Sequence, residues 1–147
     1  MCPLRSLRPL LSVSIALAGL PAYSRVQSEG EQTSVTKQFR LSAEQIRPLA
    51  TGRGGAIASD RITVDGQPVG YMYRSAPRDQ LDSGWAFLAG DETDAYMDES
   101  SNHAIYDVNT IANYDPEIIP LLDAPVGSAF IRTPSGLVLD PQGAPAE

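Results

Sequence analysis

One histidine, His103, and one cysteine, Cys2, are all the imidazole and thiol this chain possesses. Nucleophilic catalysis of the Ser–His or Cys–His kind needs a base beside its nucleophile. The sequence around His103 offers no such pair, and a lone histidine in a polar stretch reads as a surface residue. With Cys2 as the only cysteine, neither an intrachain disulfide nor a multi-cysteine zinc site can form. Carboxylates are the plentiful reactive groups. Asp91, Glu92, Asp94, Asp98 and Glu99 crowd one short stretch around Tyr96. Carboxylate oxygens bind hard cations, and paired carboxylates drive glycoside hydrolysis. The spacing departs from the EF-hand pattern of alternating acids, a central glycine and a final glutamate. A solvated acidic loop is therefore the plain reading, with a metal-dependent hydrolase as the alternative. Gly52-Arg53-Gly54-Gly55 lacks the GxxxxGK[ST] phosphate-loop pattern and reads as a turn. No catalytic residue, metal ligand or cofactor is assigned.

Charge separates the chain into two parts. Residues 1–53 carry seven Lys/Arg against three Asp/Glu, and residues 54–147 carry four Arg against fifteen Asp/Glu. An acidic field of this kind repels nucleic acid and anionic lipid and favours encounter with a basic protein partner. No basic patch with interleaved aromatics is present, which again disfavours nucleic-acid recognition.

The elements that must position these residues follow from local signals. Ser42 and Gln45 form a capping-box pattern ahead of a short helix expected over 43–49, limited by Pro48. Ala56–Ser59 is a small-residue strand, and Ile62-Thr63-Val64 is expected to extend it toward a hairpin turn at Asp65-Gly66. Val69–Arg74 alternates, placing Val69, Tyr71 and Tyr73 on one face and Met72 on the other. In Leu81-Asp82-Ser83-Gly84-Trp85, Asp82 is expected to accept from turn amides, Gly84 to take an angle closed to other residues, and Trp85 to enter the core. Trp85–Leu88 reads as a strand and Thr93–Met97 as a short helix above the acidic loop 98–102. Asp107 caps a helix over 108–112, and Asp115 caps another over 117–122, with Pro116 in its first turn. Gly127–Ile131 reads as the final strand. The fold class expected is α+β, a small single domain with a mainly antiparallel sheet and short helices packed on it.

The ends differ from the middle. Arg5 and Arg8, the apolar run Leu10–Leu20, and the small residues Ala22 and Ser24 have the layout of a secretory signal peptide over 1–24. The run is shorter than the about 20 residues a bilayer span requires, so the mature chain is expected to carry no stable membrane span. Residues 25–37 read as a flexible linker, 38–132 as the folded domain and 133–147 as a loose tail with three Pro and two Gly. The location expected is the periplasm, or the cytoplasm if translation starts further along.

Taken in order, Gly52–Gly55, Asp65-Gly66, Val69–Arg74, Asp82–Trp85, Ala89–Glu92, Tyr96-Met97, Ile105–Asp107, Asn109–Asp115 and Pro125–Phe130 carry a resemblance. The chain resembles a family of small bacterial domains, formerly of unknown function, now classed among the immunity proteins of polymorphic toxin systems. The resemblance runs from about Phe39 to Arg132. Members often carry cysteine after the glycine pair, where this chain has Ala56, and many begin near the Phe39 segment without a signal peptide. The family brings no catalytic motif. It implies a non-enzymatic binding protein whose partner is a cognate toxin, and the acidic charge of this chain leads one to expect a basic face on that toxin. The contact residues expected are Asp91, Glu92, Asp94, Tyr96, Asp98 and Glu99. A structural envelope protein without a toxin partner is the remaining alternative.

Overall fold

The computed structural model describes residues 37–146. The expected signal peptide and all but the last residue of the expected linker lie outside them. The first element is one 3-10 turn, Ala43–Gln45, in which the Ser42 amide donates to Gln45 Oε1 at 2.8 Å. The capping signal is correct and the expected helix to Leu49 is not. Pro48 disfavours helical angles in the residue before it, and the amides of Leu49 and Ala50 instead share Asn109 Oδ1, each at 2.7 Å.

Strand β1 (Gly55–Ser59) runs straight into helical turn α1 (Asp60–Thr63), because the Ser59 side chain accepts from the Arg61 amide as an N-cap. This corrects the hairpin expected at Asp65-Gly66. The Asp65 and Gly66 amides return to the carbonyls of Asp60 and Ile62, so the pair closes a helix rather than reversing a strand. The sheet explains why. β2 (Tyr71–Arg74) and β3 (Asp82–Leu88) form an antiparallel pair, and β3 lies parallel to β1. β3 lies between β1 and β2, so the strands on either side of Asp65-Gly66 are not neighbours and no hairpin joins them.

After β3 come α2 (Asp94–Asp98, N-capped by Thr93), a 3-10 turn at Ser100–Asn102, and β4 (His103–Asp107), antiparallel to β1. His103 therefore opens a strand and is half-buried, correcting the surface residue in a polar stretch expected there. Helix α3 (Val108–Tyr114) and the 3-10 helix Pro116–Leu121 carry the expected caps, Asp107 and Asp115. β5 (Ala129–Thr133) pairs with β2, and β6 (Gly136–Leu139) pairs with β5. Part of the expected loose tail is thus an edge strand. Pro134 and Ser135 turn the chain, and Gly136 at φ 115 opens the returning strand. The six strands lie in the order β4-β1-β3-β2-β5-β6, with one parallel pair. The class is α+β, as expected.

The core lies on one face of this sheet. Ala56, Ala58, Met72, Trp85, Phe87 and Phe130 project from the strands onto Ile62 of α1, Val108, Ile111 and Ala112 of α3, and Ile118 and Leu122. Burying each of the large members contributes about 2 kcal/mol. Val69 belongs to this core and not to the tyrosine face on which alternation placed it. The chain bends at Gly70, where an added Cβ would stand 1.9 Å from the Ala89 carbonyl oxygen.

Candidate partner-binding surface

The turn before β3 is built as the sequence implies. Asp82 Oδ1 accepts from the Gly84 amide at 2.9 Å, while Oδ2 takes the Arg78 amide at 2.9 Å and its Nε at 3.0 Å. Ser83 donates to the Gly55 carbonyl at 2.6 Å and so ties the turn to β1. Gly84 has φ 84, and the Trp85 indole donates to the Leu122 carbonyl at 3.3 Å inside the core. Burial opposes the charge on Asp82, but the two backbone amides and the Arg78 guanidinium together hold its carboxyl below the ordinary value.

This turn walls a groove on the face of the sheet opposite the core. Ile57, Tyr73 and Ala86 alternate with core residues on β1, β2 and β3, and register sets them side by side. They floor a groove of about 310 Å³ that is also lined by Ser75, Ala76, Arg78, Asp82 and Pro145-Ala146. A smaller hollow of about 130 Å³ adjoins it through Arg78 and Asp82 and reaches Leu81 and Ile105. Leu81 is 80% exposed and Ile105 64%, the two highest values among the exposed large apolar side chains. Further along the same face, Tyr71 and Tyr73 lie 5.5 Å apart, centroid to centroid, and Ile131 and Val138 face solvent. The Tyr71 hydroxyl is pushed up first by burial and then by the nearby charge of Asp140.

The acidic stretch borders this same face. Ser59 and His103 share the face of Ile57 and Ile105, one alternation further on. Each meets α2: the Tyr96 hydroxyl hydrogen-bonds the Ser59 side chain, and His103 Nε2 lies 3.1 Å from the Met97 carbonyl oxygen. The six predicted contact residues therefore sit together, but not in one role. Asp91 is clasped by Arg61, which donates to both of its carboxylate oxygens and also pairs with Asp65. That guanidinium holds the Asp91 carboxyl below its ordinary value. Glu92 accepts from the Ala89 and Gly90 amides at 2.8 and 2.9 Å. Glu99 accepts from the Ser101 amide and hydroxyl, and Tyr96 is half-buried against Ser59. The Asp94 and Asp98 carboxylates are exposed and make no hydrogen bond or ion pair among the described residues.

Sequence reading missed the groove. Leu81 and Ile105 are single apolar residues in polar surroundings, and only the pairing of β4 with β1 brings Ile105 beside Ile57. Within the described residues no three His, Cys, Asp or Glu side chains converge to hold a metal ion, and no helix is long and apolar enough to cross a membrane. The family model described as the immunity protein Imm33 domain matches residues 56–140, from β1 through the end of β6. No curated protein and no solved structure matches the chain.

Proposed function

Starting from the chain's membership of the immunity protein Imm33 domain family, we propose that it neutralises a cognate bacterial toxin without catalysis, by covering a basic face of that toxin with its acidic surface. Family membership carries this reading, and the charge arrangement supports the mechanism. Each of the four Arg after position 53 is engaged internally: Arg61 with Asp65 and Asp91, Arg74 with two carbonyls, Arg78 with Asp82, and Arg132 with Asp115 and Glu117. Acids outnumber these cations, and Asp94 and Asp98 project from α2 without partners among the described residues. Such a surface accelerates encounter with a cationic partner and repels wrong ones. Asp91, Glu92 and Glu99 hold α2 and its flanks in shape, which keeps Asp94, Tyr96 and Asp98 in place. The same reading takes residues 1–24 as an export signal, so that the meeting occurs in the periplasm.

The test is suppression. Toxin domains encoded in the genome that carries this chain are expressed one at a time, with and without it, in a compartment both reach. Growth restored against one of them is the expected result. Restoration against none, with the chain folded and abundant, overturns the reading.

A further inference from the structure

We propose that the groove on the outer sheet face, floored by Ile57, Tyr73 and Ala86 and continued by Leu81 and Ile105, docks an extended segment of the partner in which apolar and basic side chains alternate. The proposal rests on the immunity reading and gives the acidic face a second, apolar half. The floor is apolar and shallow, and at about 310 Å³ with an adjoining 130 Å³ it takes a few side chains rather than a folded domain. Leu81 and Ile105 leave most of their surface in water beside it, an arrangement that marks a contact surface when contiguous. The rim is acidic at three places. Asp79 stands exposed at the turn wall beside the Asp82–Arg78 ion pair, Asp140 lies near Tyr71, and Asp94 and Asp98 project from α2 beyond His103. An extended segment sends alternate side chains to opposite sides, so apolar ones reach the floor while the basic ones start outward and bring their charges back to the rim carboxylates on long flexible stems.

Other occupants fit less well. A second copy brings a formal −7 against −7, with like rims facing across the contact. Residues 25–36 of the chain itself offer one Arg, two Glu and only two valines, a poor match to an apolar floor with acidic edges.

The experiment uses the full chain and a short peptide of alternating Lys and Leu, with alternating Glu and Leu as the control. Amide hydrogen exchange maps contact and a titration gives affinity. Slowed exchange in β1, β2 and β4 around Ile57, Tyr73 and Ile105 is expected with the Lys–Leu peptide only. Ile105→Lys and Leu81→Lys, both at exposed positions, should each weaken binding about tenfold while the thermal melt stays at the parental value. Protection confined to residues 91–99 overturns the proposal. So does equal binding of the Glu–Leu peptide, or groove protection from self-association without any peptide. Suppression separates the two readings. If the parent suppresses a toxin and both Lys variants suppress it equally, the groove assignment fails and the immunity reading stands. If the peptide binds as expected but no toxin is suppressed, the immunity reading fails and the groove stands.

Discussion

Gly84 and Gly127 share a left-handed backbone, at φ 84 and φ 97, but not a neighbourhood. A Cβ at Gly84 would lie 2.1 Å from the Ser75 carbonyl oxygen, whereas one at Gly127 would meet nothing within 4 Å. Gly127→Ala carries only the backbone penalty and should lose about 1 kcal/mol. Gly84→Ala adds a clash with backbone and should lose about 3 kcal/mol or more. Urea midpoints at unchanged slope measure both, and equal losses would show that the Ser75 approach is not tight. Asp82, two residues away, makes the turn sensitive to acid. Its folded pKa lies below the ordinary 3.8, so its contribution is complete above that value and is lost as pH falls through the lowered one. Asp82→Asn should be less stable at neutral pH and show a shallower loss of stability below about pH 4, read from denaturation at a series of pH values. These roles were legible in the sequence because they are local: an acid two residues before glycine and a tryptophan after it define the turn. The uses of Asp91 and Glu92 were not legible in the same way. The partner of Asp91 is Arg61, thirty positions away, and nothing between them announces the contact.

At the scale of elements, local signals identified the helices after β3 but not α1, which reads as strand, and the sheet decided the rest. Asp107 and Asp115 cap the helices the sequence predicts, and Thr93, expected as the first residue of a short helix, is its cap. The parallel pairing of β1 with β3, the strand β4 and the edge strand β6 are long-range outcomes, and short polar-flanked runs such as His103–Asp107 and Gly136–Leu139 do not reveal them. One clasp joins these distant parts. Arg132 on β5 donates to Asp115 Oδ2 at 2.6 Å, to Glu117 Oε1 at 2.9 Å and to the Val69 carbonyl at 2.7 Å, and Asp115 is only 6% exposed. Arg132→Met leaves that carboxylate buried without its counter-charge and should cost about 3 kcal/mol. Adding Asp115→Asn should regain part of the loss, and a double variant no better than the single would exclude the stranded charge as the cause. The strand β6 makes a second demand. Removing residues 134–147 bares the edge of β5 and uncovers Phe130, so aggregation and a lowered melting temperature are expected by light scattering and thermal denaturation. Removing 141–147 spares the strand and takes away the Pro145-Ala146 lining of the groove together with the bond from the Ala144 amide to the Gly127 carbonyl, so the melt should fall far less than on removal of 134–147.

For the whole molecule, the acidic stretch borders the face that carries the groove, through Ser59 and His103, and under the proposed function the two halves should act at different moments of binding. Charge works at a distance of about 8 Å at physiological salt, before surfaces touch, while apolar contact acts only after water has left. Asp94 and Asp98 should therefore govern how fast a toxin arrives, and Ile105 and Leu81 how long it stays. The double variant Asp94→Asn, Asp98→Asn should slow association roughly threefold at low salt and leave dissociation unchanged. Raising the salt should remove the difference, because it screens the parent's advantage. Ile105→Lys should do the reverse, speeding dissociation about tenfold at every salt concentration. Surface plasmon resonance against the suppressed toxin domain, at low and high salt, measures both rates. If both variants change only association, and both effects fade with salt, the groove bears no contact and the acidic surface accounts for binding alone.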